Sequence, residues 1–441
     1  MNKKHVINLQ DQFELRDKLL KHRLEKLLPE LMKETNTDMW IVIGDEYNEG
    51  PTIRSLLPSS FFHARRKAIF IFVYQDNELK RYIVSKPDFT IANFYTPILL
   101  KPPLFDFEMF YSTFQSGYDL DMIRSLPVED EKACIKRIVN ESNPEKISID
   151  VSTLTPFSDG LSKTNYDFLL DCIDNIHHDK ISSGENIALR WLETRTELEL
   201  DVVKSIVKLT REIILECYSR KVITPSKTTL GQARFFLMER AMELCGIPWF
   251  SATVWIRRNG HPHLDSDSEV IKKGDLLHCD FGFEYAGLCS DVQEMAYVKG
   301  ENDEQLIKEL EGIHNIAMDL QNILADSFKF GMTGNEILQN ALTVAKEKGI
   351  KRPMIYTHPI GLFGHGPGPT IGSFTNQEFV KGMGEYKLFD NTLYAMELNI
   401  REEVPSWNNQ IIMYGQEIEV AFINNKVEFL GGRQQKLHII Y

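Results

Sequence analysis

Four acidic residues stand inside stretches that otherwise read as buried β-strands, and no fold can enclose that much like charge without a counter-ion. The segment "GDLLHCDFGFEYAGLCSDVQEMAYV" (274–298) reads as two strands joined by a turn at Tyr285–Gly287, and it carries Asp280 and Asp291. If the ladder is regular about a centre between 285 and 286, the two aspartates oppose each other on one face. The runs "TLYAMELNI" (392–400) and "QEIEVAFI" (416–423) repeat the theme with Glu397 and Glu419. One acid in a strand usually faces water. Three acid-bearing segments in the same half of the chain argue for a shared, enclosed cluster. Anions held that close repel unless a cation lies between them. Four carboxylates and a histidine would suit two divalent ions roughly 3.5–4 Å apart.

The segment "THPIGLFGHGPGP" (357–369) supplies the histidine. Its prolines and glycines forbid a stable helix, and residues an odd number apart point to opposite sides of a straight strand. His358 and His365 therefore sit on an irregular loop, free to meet residues from elsewhere. Other histidines and cysteines carry plainer expectations. His278 shares strand parity with Asp280 and reads as a packed strand residue, Cys289 as a buried thiol, and His177–His178 as a solvated turn.

Around these motifs the chain reads as two domains. Strands at 38–44, 67–74, 79–85 and 145–152, a helix at 12–34 and another at 164–173 make the first half α/β. Residues 75–78, "QDNE", read as a hairpin turn. "ISSGENIALRWLETRTELEL" (181–200) marks the boundary, with Thr196 and Glu199 as a capping box opening a long helix. The expected domains are 1–185 and 186–441. Helices follow at 230–245, 303–325 and 334–348, with strands to the end. Net charge is −13, from 50 basic and 63 acidic residues, which disfavours nucleic acid and anionic membranes as partners. The start has no apolar core of signal-peptide length, no run of about 18 apolar residues occurs, and the six cysteines form no C-x-x-C pair. A cytoplasmic protein with reduced thiols is expected.

In order and spacing these motifs resemble the methionine aminopeptidase, aminopeptidase P, prolidase and creatinase superfamily, nearest its Xaa-Pro branch. The resemblance rests on two aspartates eleven apart (Asp280, Asp291), the histidine of H-x-x-G (His358 in "HPIG"), Glu397 in "MELN" and Glu419 in "GQEIE". It implies a creatinase-like α/β N-terminal domain followed by an α+β pita-bread catalytic domain. It further implies that those five residues bind two divalent ions, with Asp291 and Glu419 bridging. Manganese is favoured by the carboxylate majority, with cobalt, zinc or iron as alternatives. The implied chemistry is hydrolysis of an N-terminal peptide bond, Xaa-Pro in this branch, by a hydroxide bridging the metals. Glu397 would accept the proton, and His263 and His365 would hydrogen-bond substrate; His261 competes for the first of these places. The implied partners are a small peptide with a free N-terminus and a second copy of the chain.

Three positions depart from the superfamily pattern. Where the superfamily often follows the second aspartate with Thr-Arg-Thr, this chain has "VQEMAY", with Gln293 and Glu294; Glu417 stands where proline-specific members carry arginine, and Gly366 replaces an acid. All three are expected near substrate. Two further readings accompany the first: a creatinase-like hydrolase of a small C–N bond, and a non-catalytic peptide-binding protein of the same fold.

Overall fold

A computed structural model describes residues 8–85, 89–100 and 128–441. The chain packs as two compact units, Phe13–Leu192 and Met1–Gln12 with Glu193–Tyr441. The break at 192–193 falls seven residues beyond the expected boundary, at the end of the Glu185–Glu193 helix.

In the first unit, apolar runs give the strands of a seven-stranded sheet. Its order is Val128–Glu129, Thr96–Leu100, Glu78–Ser85, Lys67–Gln75, Met39–Asp45, Ile147–Ile149, Ile181–Ser183. Strands buried on both faces read as continuous apolar runs rather than alternating ones, and "MWIVI" and "AIFIFV" do so. Ile41, Ile43, Ile69 and Ile71 face Cys134, Ile135, Ile138, Val139 and Leu169, from the helices Glu131–Ser142 and Lys163–Cys172. On the other face Trp40 packs against Phe72 and Trp191. The "QDNE" turn is as expected: Asp76 and Asn77 adopt φ of 53° and 62°, and Gln75 pairs with Glu78. His177 and His178 are not solvated. His177 is buried with Nε2 3.0 Å from Asn140 Oδ1, and His178 Nε2 donates to Ile173 O at 2.9 Å. Both rings fasten the end of the Lys163–Cys172 helix to the unit.

The second unit opens with the capping box at Thr196, whose hydroxyl accepts the Glu199 N–H while the Glu199 carboxylate accepts the Thr196 N–H. The same device starts the helices Leu230–Glu243 at Thr229 and Gly334–Glu347 at Thr333. Its apolar stripe buries Val203, Ile206, Val207, Ile213 and Ile214. A five-stranded sheet runs in the order His261–Leu264, Thr253–Arg258, Leu276–Phe281, Val292–Val298, His438–Ile440. Two further sheets carry His358–Ile360 beside Thr392–Ala395 and Glu419–Ile423, and Leu398–Val404 beside Gln410–Gln416. A bridge between Gln293 and Glu417 joins these sheets to the first.

The aspartate hairpin forms, in a different register. Tyr285 pairs with Leu288, and Asp280 pairs with Gln293 rather than Asp291. The reason lies at the turn. Ala286 and Gly287 take φ of 53° and 82°, a two-residue connection whose twist matches the strands, so the hairpin centre lies between those two residues. No helix among the described residues is long and apolar enough to cross a membrane.

Candidate metal centre

Four strands meet in one row of paired residues. Asp280 pairs with Gln293, Gln293 bridges Glu417, and Glu417 lies across from Glu397. The last relation follows from the ladders on either side of the break: Ala395 pairs with Glu419 and Leu398 with Gln416. Continuing that register sets Glu397 opposite Glu417, each ten residues from Trp407 at the hairpin end. Asp291 stands between the strands Leu288–Cys289 and Val292–Val298, and His358 opens its own short strand.

Oxygen and nitrogen atoms of Asp291, His358 and Glu417 lie within 4.8 Å of one another, as do those of Asp280, Glu397 and Glu417. Glu417 belongs to both triads. The His358 tautomer fits a cation: Nδ1 donates to the Pro359 carbonyl at 3.1 Å, which leaves the Nε2 lone pair facing outward. It faces Asp291 Oδ2 at 3.8 Å and Glu417 Oε1 at 3.6 Å. A lone pair and two carboxylate oxygens at that spacing repel each other unless a cation shares them, and metal bonds of roughly 2.0–2.2 Å put ligand atoms that far apart. Burial, with His365 nearby, lowers the His358 pKa to about 4 and keeps its ring neutral.

The carboxyls respond in the opposite sense. Burial pushes Asp280 up to about 7 and, with Asp280 beside it, Glu397 up to about 8. Asp291 and Glu417 rise well above the ordinary range through burial and their neighbouring carboxylates. Without a cation these groups hold protons. Asp280 Oδ1, Asp291 Oδ1 and Glu417 Oε1 are buried without hydrogen-bond partners, the state of atoms built to bind something else.

Asp280, Asp291, His358 and Glu397 are thus brought together as the motif implied, and Glu419 lies beside them outside both triads, its Oε2 buried without a partner. Its Oε1 accepts the Asp291 N–H at 2.9 Å, and it pairs with Ala395, two residues past the row. Glu417, which the sequence reading took for a departure, occupies the shared position. Two glutamates of equal parity stand in "QEIE", so alternation alone does not choose between them. The feature that chooses is the loop between Val404 and Gln410, whose centre at Trp407 sets the hairpin register.

The histidines divide. The His365 ring lies 4.6 Å from that of His358, edge to face, and 5.3 Å from that of Trp249. His263 stands apart, on the edge strand of the five-stranded sheet with the Thr253–Arg258 strand between it and Asp280. Its neighbours are the Trp255 ring at 5.4 Å and Asp265 Oδ2 at 3.5 Å. His261 is exposed on the same edge strand, opposite Arg258. His278 and Cys289 are buried as expected.

Of the departures, Gln293 is at the site: its Nε2 donates to Glu397 Oε1 at 2.5 Å, and its Oε1 accepts from His278 Nε2 at 2.7 Å. Glu294 faces the other way. It binds Arg211 Nε and His438 Nε2, each at 2.5 Å; burial raises its pKa, but those two partners outweigh it and the net shift is downward.

Residues 202–408 match the sequence profile of Metallopeptidase family M24. That region is similar to the M24 metallopeptidases. A protein named "Uncharacterized peptidase YqhT" from Bacillus subtilis is 33% identical over 116 residues, 26% of this chain and 29% of that one. A "Putative Xaa-Pro aminopeptidase" from Mycoplasma genitalium is 28% identical over 95 residues, 21% of this chain and 26% of that one. The chain thus matches less than a third of the length of each curated relative. The crystal structure of an X-Pro aminopeptidase from Thermotoga maritima superposes with a TM-score of 0.62 at 16% identity, covering 95% of this chain and all of the other. The shared architecture, an α/β N-terminal domain before a pita-bread domain, extends over nearly the whole chain.

Proposed function

We propose that this protein is a dinuclear metallopeptidase that hydrolyses an N-terminal peptide bond, with Xaa-Pro peptides as its substrate class. The observation that carries the reading is the pair of triads sharing Glu417, with the unprotonated nitrogen of His358 turned into one of them. Fold alone would not suffice, because folds host unrelated functions. Asp280, Glu397 and Glu417 would hold one ion, and Asp291, His358 and Glu417 the other. Manganese suits their carboxylate majority. Bound there, such ions supply Lewis acidity and an activated water.

The chain's own groups do the rest. Glu397, oriented by the Gln293 amide, is placed to accept a proton. His365, half-exposed beside His358, is placed to hydrogen-bond a substrate carbonyl as its oxygen gains charge. His263 stands beside Trp255, with the Thr253–Arg258 strand between it and Asp280, so we assign it no part in holding the ions. A retained ligand set argues against a creatinase-like or purely binding protein. Six free thiols fit a reducing, cytoplasmic setting.

The test is a peptide panel on purified protein: Xaa-Pro dipeptides and tripeptides, Met-peptides and creatine, each with manganese and with chelator. The proposal expects manganese-dependent release of the N-terminal residue from Xaa-Pro peptides. Peptide turnover that survives exhaustive chelation, or none on any peptide, would refute it.

A further inference from the structure

His278 is 1% exposed on the Leu276–Phe281 strand, two residues before Asp280 and so on the same strand face. Asp280 pairs with Gln293 across the ladder, which makes His278 and Gln293 diagonal neighbours within reach of long side chains. Their contact is direct, with His278 Nε2 2.7 Å from Gln293 Oε1. A carboxamide oxygen only accepts, so the imidazole donates from Nε2 and, when neutral, carries no proton on Nδ1. Nδ1 itself has no hydrogen-bond partner. The ring packs edge to face against Trp255, centroids 4.3 Å apart.

The other end of the amide meets the acid cluster. Gln293 Nε2 donates to Glu397 Oε1 at 2.5 Å, while its main chain exchanges hydrogen bonds with that of Glu417 at 3.2 and 3.4 Å. One residue thus fastens two acids of the Asp280–Glu397–Glu417 triad. An amide can turn end for end, and reversed it would set Oε1 against the Glu397 carboxylate, acceptor against acceptor. The His278 N–H opposes that reversal, because it would then face the amide nitrogen, donor against donor. Room for the pair comes from Gly415, where a Cβ would lie 2.9 Å from His278 Cε1 and 3.1 Å from Gln293 Oε1.

We infer that His278 is a positioning residue for Glu397, acting through Gln293: its Nε2–H fixes the direction of the amide that holds the carboxylate. The inference rests on the metallopeptidase reading, in which Glu397 helps to hold an ion and accepts a proton. A group that orients a metal ligand through a hydrogen bond typically changes metal affinity or activity by about 10- to 100-fold when it is removed. A packed strand residue with no such part would alter stability alone.

The experiment uses the full chain, with manganese alone as the first probe. His278→Leu and Gln293→Leu are each expected to weaken manganese binding by about tenfold in calorimetry, and the double variant to bind no worse than Gln293→Leu. His278→Gln, whose amide can donate to Gln293, should recover most of the loss. His278→Met takes the place of the leucine variant if that one does not fold. With manganese saturating and Ala-Pro as substrate, kcat should fall in the same order while KM changes little. Nitrogen NMR of the chelated protein, wild type against His278→Gln, should show a neutral ring protonated at Nε2. Additive losses in the double variant, equal losses in H278L and H278Q, or a proton on Nδ1 would overturn the positioning role. Any of these with Ala-Pro still cleaved leaves the peptidase reading standing. The expected manganese pattern with no peptide cleaved would instead keep the role of His278 and remove the peptidase.

Discussion

Gly364 has no side chain because Trp249 occupies the space: a Cβ there would lie 2.4 Å from three atoms of the indole. Gly282 is under the same constraint, with a Cβ 1.9 Å from Ser290 O and 2.9 Å from Trp249 Nε1. The indole, fixed by its hydrogen bond to Ser290 O at 2.8 Å, presents its ring to His365. Gly364→Ala should therefore displace Trp249 and, through it, His365. The expected result is a loss of about 1–3 kcal/mol in stability and roughly tenfold in kcat, with metal content intact; denaturant melts, kinetics and metal analysis read the three separately. His365→Ala should lower kcat by about 10²-fold, the scale of one donor to a developing oxyanion, again without metal loss. Loss of metal from that variant would make His365 a ligand. At this scale most of the site was legible, because Asp280, Asp291, His358 and Glu397 each sit in a local pattern that announces them. Glu417 was not, since it and Glu419 share a strand face and the motif spacing pointed to Glu419 alone.

Among elements, the strand ending at Ile149 delivers a buried acid that belongs to no metal site. Asp150 is 3% exposed and accepts from Trp40 Nε1 at 3.1 Å. Burial pushes its pKa up to about 7, against the partly offsetting bonds from Thr52 and Trp40. The folded chain thus binds a proton that the unfolded chain releases near pH 4. Its stabilising contribution is complete below that value and is lost as pH rises through about 7. Amide exchange in the strands Met39–Asp45 and Ile147–Ile149 should accelerate from pH 5 to 8 beyond the intrinsic rate, by a loss on the order of 3 kcal/mol. Asp150→Asn should remove that excess; an unchanged pH slope in the variant would contradict the assignment. Element type was readable from periodicity here, as in the 39–45 and 67–75 strands. Register was not, because the Ala286–Gly287 turn sets it and a centre one residue away looks equally good in sequence. Edge placement was equally hidden: only the sheet order shows that His263 lies a strand away from Asp280.

At the scale of the whole molecule, the acid row joins sheets that local contacts would not unite. The Gln293–Glu417 bridge spans 124 positions of chain, and the charge it gathers makes the second unit depend on what it binds. Pairing a distant Asp280 with Glu397 is a tertiary fact, which pattern reading reached only through the physical demand that buried like charges be neutralised. The N-terminal unit gave no comparable demand, so its fold was readable and its role was not. The central claim is that Glu417, shared between two triads, holds two divalent ions in place. Its most direct test is the number of manganese ions retained per chain, by elemental analysis after dialysis, in wild type, Glu417→Gln and Glu419→Gln. The account predicts two in wild type, fewer than one in E417Q and close to two in E419Q; fewer than one in wild type, or loss in E419Q with retention in E417Q, would contradict it.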